Sequence, residues 1–207
     1  MVKLNRRIAA LKPSATMAAE TRATELKAAG VDVISLAAGE PDFDTPERIK
    51  NAARRALDAG QTKYTPVTGT RDLKEAIKLK LKRENGLDYD ITEIMASAGG
   101  KQAEANIIAA LFDEGDEVII PTPAWVSFVA MVNLAGAEAR LVECPEETGF
   151  TLDPETLKRA ITSRTRGIIL NSPSNPTGAV YSPSKLGDLA KILLDAGVWV
   201  LSDDVYE

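Results

Sequence analysis

From residue 46 onward the chain alternates between two hydrophobic rhythms. Thr45-Pro46-Glu47 supplies an N-cap, a first-turn proline and a first-turn acid, and predicts a helix ending near Gly60. A second helix follows from about Asp72 to Glu84, with Leu73, Ile77 and Leu81 on one stripe and Gly86 as its stop. Short apolar runs then recur, predicting strands near 93–96 and at 117–120, 139–143, 167–170 and 198–202. Helical patterns fill the gaps at 101–112, 125–135, 154–161 and 183–195. Asp153-Pro154 and Ser182-Pro183 serve as N-cap and N1 pairs. Strand and helix in alternation predict an α/β fold with a mostly parallel sheet. The strands are too apolar and too short for half-exposed hairpins.

Residues 1–45 differ in character. A helix over about 14–29 leads into the apolar 33–36 run and then Ala37-Ala38-Gly39-Glu40-Pro41. This segment reads as an arm or as part of a second domain.

Composition narrows the function classes. Hydrophobic residues are 44% and charged residues 27% of the 207, the balance of an ordinary globular chain. The net charge of −5 offers no basic surplus for nucleic acid or an anionic membrane. No stretch has transmembrane length. The single cysteine, Cys144, precludes an intrachain disulfide and points to a reducing, cytoplasmic setting. The absence of histidine removes Ser-His-Asp and Cys-His catalysis and histidine-ligated zinc. Proton transfer is left to lysine, carboxylate, tyrosine or a cofactor.

In an open α/β sheet, ligands bind beyond the carboxyl ends of the strands. Ser97-Ala98-Gly99-Gly100-Lys101 follows the first predicted strand and opens a helix, which makes either a phosphate cradle or a plain tight turn. It is neither a P-loop nor GxGxxG. After the second strand, Trp125 can stack on a flat ring or fill the core. Asn171-Ser172-Pro173-Ser174-Asn175-Pro176-Thr177-Gly178 is a proline-stiffened turn that presents Asn175 to a ligand oxygen. Asp203, at the end of the last strand, needs a partner: a protonated ring nitrogen, a basic side chain or a following turn.

Together with Gly39-Glu40-Pro41-Asp42-Phe43-Asp44-Thr45-Pro46, Lys63-Tyr64 and Gly99-Gly100-Lys101-Gln102-Ala103, the Asn175-Pro176-Thr177-Gly178 and Ser202-Asp203-Asp204-Val205-Tyr206-Glu207 motifs resemble those of class I aminotransferases. These are fold-type I, pyridoxal-phosphate-dependent enzymes. Lys12-Pro13-Ser14-Ala15-Thr16 and Gly-Gly-Lys-Gln look most like the bacterial aspartate aminotransferase branch, some members of which also use prephenate.

The resemblance implies a three-layer large domain whose sheet is incomplete at the C-terminus. Residues 1–45 would be the arm and part of a small domain, and 46–207 the N-terminal part of the large domain. Pyridoxal 5′-phosphate would be held by Gly99, Gly100 and Lys101 at its phosphate and by Trp125 on its ring. Asn175 and Tyr206 would meet its phenolic oxygen, and Asp203 its pyridinium nitrogen. Tyr64 would reach the phosphate of a neighbouring subunit, implying a homodimer. Gly39, Trp125 and Asn175 would meet the substrate carboxylate. Lys12 and Thr16 would meet a distal one, and a solvated arm lysine and a helix-start threonine are the other reading of those two.

The implied activity is ping-pong amino transfer between L-aspartate, with glutamate and prephenate as further candidates, and a 2-oxo acid such as 2-oxoglutarate. The Schiff-base lysine is expected beyond Glu207, so residues 1–207 alone are expected to be inactive. A truncated, non-catalytic cofactor-binding or interaction protein is the competing reading. A dinucleotide-binding domain is disfavoured by the missing GxGxxG.

Overall fold

The computed structural model describes residues 3–11, 13–37 and 39–207. Lys12 therefore lies outside the described residues. The chain divides into two compact units. One comprises the residues up to Leu11 together with Ala98–Glu207, and the other the residues from there to Ser97.

The first unit is an α/β sandwich. Its helices are α1 (Arg6–Ala10), α5 (Gly100–Leu111), α6 (Val126–Ala135), α7 (Pro154–Ala160) and α8 (Pro183–Ala196), and its strands β1 (Glu117–Thr122), β2 (Glu138–Glu143), β3 (Thr165–Asn171) and β4 (Trp199–Asp203). Among the described residues the strands form one sheet in the order β2-β1-β3-β4, every neighbouring pair parallel. α6, α7 and α8 are the crossovers that parallel pairing demands.

Alternation along the central strands sends side chains into two separate cores. Ile119, Ile168 and Leu170 pack with Leu157, Leu189 and Leu193 on the α7–α8 face. Val118, Ile120 and Ile169 pack with Ile108, Phe112, Phe128 and Val132 on the α5–α6 face. Helices thus cover both faces, giving three layers. Each fully buried Ile or Leu contributes about 1.5–3 kcal/mol. Gly167 is required by this packing, because a Cβ on β3 at that point would collide with the Phe112 ring.

Two helix ends follow the predicted chemistry and one does not: the helix predicted to be capped by Thr45 has Pro46 itself as its N-cap, with no side-chain cap hydrogen bond. Asp153 Oδ2 accepts the backbone N–H groups of Glu155 and Thr156 at 3.0 and 3.2 Å, and Ser182 Oγ accepts that of Lys185 at 3.2 Å. The single thiol, Cys144, is buried, and burial raises its pKa.

The second unit contains α2 (Ala15–Ala28), α3 (Glu47–Asp58) and α4 (Arg71–Lys80). Where a single helix is predicted to run to Glu84, α4 stops at Lys80. A π-helical turn, Leu81–Asn85, then leads to Gly86 in the left-handed region at φ 70°.

The strand predicted at 93–96 does not form. Ile91–Glu93 is a 3-10 turn closed by an Asp90 capping box, and Ile94 is extended at φ −113° and ψ 129°. Extended backbone becomes a strand only when a neighbour accepts and donates its ladder bonds. Here Ala96 N–H instead bonds Thr68 O at 3.0 Å. Among the described residues, no helix is long and apolar enough to cross a membrane.

Candidate functional site

β1, β3 and β4 of the first unit end side by side, and the predicted site residues of this unit follow those ends or open the helix beside them. α5 begins at Gly99, whose φ of 91° a side-chain-bearing residue rarely adopts, and no side chain caps the helix. Its first-turn N–H groups and positive dipole end are thereby left to an anion. Gln102 steadies the turn by accepting the Ala98 N–H on Oε1 at 2.7 Å.

Lys101 Nζ lies 4.9 Å from the centroid of the Trp125 ring, in a cation–π contact. Trp125 is the N-cap of α6 and is partly buried. Its other support is Phe128, edge-on at 5.4 Å with an interplanar angle of 89°. The indole is thus oriented from behind by a core aromatic and is topped by a cation.

Asn175 and Asp203 are tied together through a residue that the sequence motif lists only as its start. Asn171 sits at the end of β3, in register with Asp203 on β4. Its Nδ2 donates to the Asp203 carbonyl at 3.0 Å, and its Oδ1 accepts the Asn175 N–H at 2.7 Å. One amide therefore joins the turn to the neighbouring strand end. The turn is closed by Gly178, at φ 70°, whose N–H bonds Ser174 O at 2.7 Å. The Asp203 carboxylate accepts the Val205 N–H on Oδ1 at 3.2 Å. Tyr206, 54% exposed, lies in the turn after β4.

A second residue absent from the sequence reading is Glu104 on α5. It is 8% exposed, and its Oε2 is buried without a hydrogen-bond partner. Burial first, and then the adjacent Asp203 carboxylate, push its pKa up to about 7, while Lys101 acts in the opposite direction. In the sequence Glu104 looks like one more polar helix residue. The signal that could have flagged it is its spacing four positions before Ile108, which puts the carboxylate on the buried stripe of α5.

A shallow hollow is bounded by Pro123, Ala124, Phe150, Asn171, Ser174 and Asn175, among others, and neither Lys101 nor Asp203 lines it.

Thr16, Gly39 and Tyr64 belong to the second unit. Thr16 is partly buried in the first turn of α2, Gly39 is exposed, and Tyr64 is fully exposed.

Comparison with known proteins shows the family. A family model described as aminotransferase class I and II matches residues 31–207. The chain is 50% identical over 204 residues to an aspartate/prephenate aminotransferase of Thermus thermophilus, covering 99% of this chain and 53% of that protein. It is 51% identical over 206 residues to an aspartate aminotransferase of Geobacillus stearothermophilus, covering 100% of this chain and 52% of that one. A solved structure of the Thermus thermophilus aspartate aminotransferase with maleate matches with a TM-score of 0.97 at 50% identity, covering 100% of this chain and 54% of that one. The chain thus spans about half the length of the curated relatives it matches.

Proposed function

The chain belongs to the aminotransferase class I and II family, and from that premise we propose that the protein transfers an amino group between L-aspartate and a 2-oxo acid such as 2-oxoglutarate, using pyridoxal 5′-phosphate in a ping-pong reaction. Glutamate and prephenate are further members of the proposed substrate set. A four-carbon dicarboxylate, maleate, accompanies the solved relative from Thermus thermophilus, which supports the dicarboxylate assignment.

The observation that carries the reading is the polarity of the first unit's site. A cationic pole, the uncapped α5 N-terminus with Lys101 over a supported indole, and a carboxylate at the end of β4, Asp203, belong to the same unit. A flat ligand with a phosphate at one end and a cationic ring nitrogen at the other matches that donor and acceptor set. No Cβ stands at Gly99 or Gly100, and the space a Cβ would take there is open.

In this reading Gly99, Gly100 and Lys101 bind the phosphate. Trp125 stacks on the ring. The Asn175 amide and the Tyr206 hydroxyl donate to the phenolic oxygen. Asp203 accepts from the ring N–H and holds that nitrogen protonated. The bound cofactor supplies the electron sink for loss of the substrate's α-proton. Gly39, Trp125 and Asn175 orient the substrate α-carboxylate, and Lys12 and Thr16 its distal carboxylate. Tyr64 reaches the phosphate in the neighbouring subunit of a homodimer. Lys101 serves the phosphate, and the nucleophilic amine is assigned to a Ser-x-x-Lys lysine beyond the Ser202–Tyr206 motif. Residues 1–45 are assigned to the arm and small domain and 46–207 to the large domain. The buried Cys144 thiol suits a reducing cytoplasm.

The test is to incubate the native protein with aspartate and 2-oxoglutarate, with and without added pyridoxal phosphate, and to follow oxaloacetate. Cofactor-dependent transfer, lost by about 100-fold or more in Asp203→Ala, is expected. Cofactor binding without transfer from any dicarboxylic amino acid would leave a non-catalytic binding protein. Absence of cofactor binding would remove the reading altogether.

A further inference from the structure

Among the described residues, Glu104 Oε2 is the one buried side-chain oxygen or nitrogen that lacks a hydrogen-bond partner. The residue lies one turn beyond Lys101 on α5, beside Ala105 and Ile108 of the α5–α6 core. The charged groups that act on it are Asp203 from β4 and Lys101 from its own helix. An ionised carboxylate in that position faces an apolar layer on one side and a second carboxylate on the other. Two carboxyl groups so placed disfavour each other's ionisation, and one of them holds its proton to higher pH than an ordinary carboxyl. Asp203 is the more exposed of the two and already accepts a backbone N–H, so the proton belongs to Glu104.

We propose that Glu104 is a positioning residue that shares a proton with Asp203, donating it in a hydrogen bond to the Asp203 carboxylate and holding that carboxylate as the counter-ion of a cationic ring. The proposal rests on the reading of Asp203 as the partner of the ring nitrogen. Its consequence is a pair that counts charge. With Glu104 neutral, the pair carries one negative charge, matched to the one positive charge of the ring. Once Glu104 ionises, near pH 7, the pair carries two. A cation opposite the pair favours that second ionisation, so cation binding and proton release from Glu104 are linked. Glu104→Gln keeps the shape and a donor but cannot ionise, so it adds no second charge as the pH rises.

The test has two arms, both on the native protein. In the first, the side-chain carboxyl signals of ¹³C-labelled glutamate are titrated without cofactor. One signal titrating near 7 is expected, absent in Glu104→Gln and moved toward the ordinary carboxylate range in Asp203→Asn. A Glu104 signal that titrates in the ordinary range in the wild type, or one indifferent to Asp203→Asn, overturns the proposal. This arm needs no variant to establish the wild-type value.

In the second arm, the pyridoxal phosphate dissociation constants of wild type and Glu104→Gln are measured from pH 6 to 8. Their ratio cancels the cofactor's own ionisation. A neighbouring opposite charge moves a carboxyl pKa by about 1–3 units, so the ratio should shift in favour of the wild type by about five- to tenfold. A constant ratio, with both proteins binding, overturns the positioning role and leaves the proposed function standing. Failure of the wild type to bind at any pH overturns the proposed function, and the carboxyl titration still decides whether Glu104 shares its proton with Asp203.

Discussion

Glu117 and Glu104 are both buried in the same unit, and they are treated in opposite ways. Glu117, 1% exposed, opens β1 at the amino edge of the sheet. Its carboxylate contacts the Arg164 guanidinium closely, has Arg140 Nη1 at 3.7 Å, and accepts the Thr162 hydroxyl at 2.7 Å. Glu104 sits toward the carboxyl edge, with one oxygen unpartnered and a like charge beside it. The edge that only has to hold together matches its buried charge completely. The edge proposed to bind ligand keeps a mismatch, and such a mismatch is costly unless it serves a site.

The comparison breaks most severely at Arg164. Arg164→Ala leaves the buried Glu117 with only the Thr162 hydroxyl and the more distant Arg140, so it should lower the unfolding free energy by about 2–3 kcal/mol, read as a lower urea midpoint. If the midpoint holds, Glu117 is not dependent on its cation.

Glu104→Gln should act in the other direction, and only above acidic pH. A carboxyl whose folded pKa is raised from 4.5 to about 7 incurs no penalty below the lower value. The penalty grows as pH rises between the two values and is complete above the upper one. Glu104→Gln should therefore stabilise the protein by on the order of 2 kcal/mol at pH 8 and by nothing at pH 4, in paired thermal melts. A pH-independent effect would make Glu104 an ordinary packing residue.

Asn171→Ala removes both links between the Asn175 turn and β4. A loss of about 1–2 kcal/mol of stability is expected, together with pyridoxal phosphate binding weaker by about tenfold. Weakened stability with unchanged binding would make Asn171 purely structural. The smallest effect is expected at Trp125→Leu, where loss of the stacking surface should weaken cofactor binding by about 1 kcal/mol, measured by dialysis, with the fold retained.

Much of the fold was readable along the chain. Asp153 and Ser182 cap the helices they were expected to cap, and the apolar runs around Ile119, Leu141, Ile169 and Leu201 become β1 to β4. The run at 93–96 shows where that reading ends. Its residues suit a strand, but a strand also needs a partner that local sequence does not name. Among candidate site residues, the motifs named Lys101, Trp125, Asn175 and Asp203, because turn chemistry and position after a strand are local properties. Glu104 and the bridging role of Asn171 were not legible. The sequence by itself determined periodicity, caps and the residues at each strand end, all set by neighbours a few positions away. Only the tertiary structure decided that Glu104 meets Asp203 and that Asn171 spans β3 to β4. Proton sharing and hydrogen bonding depend on separation in space, and these partners are far apart in the chain.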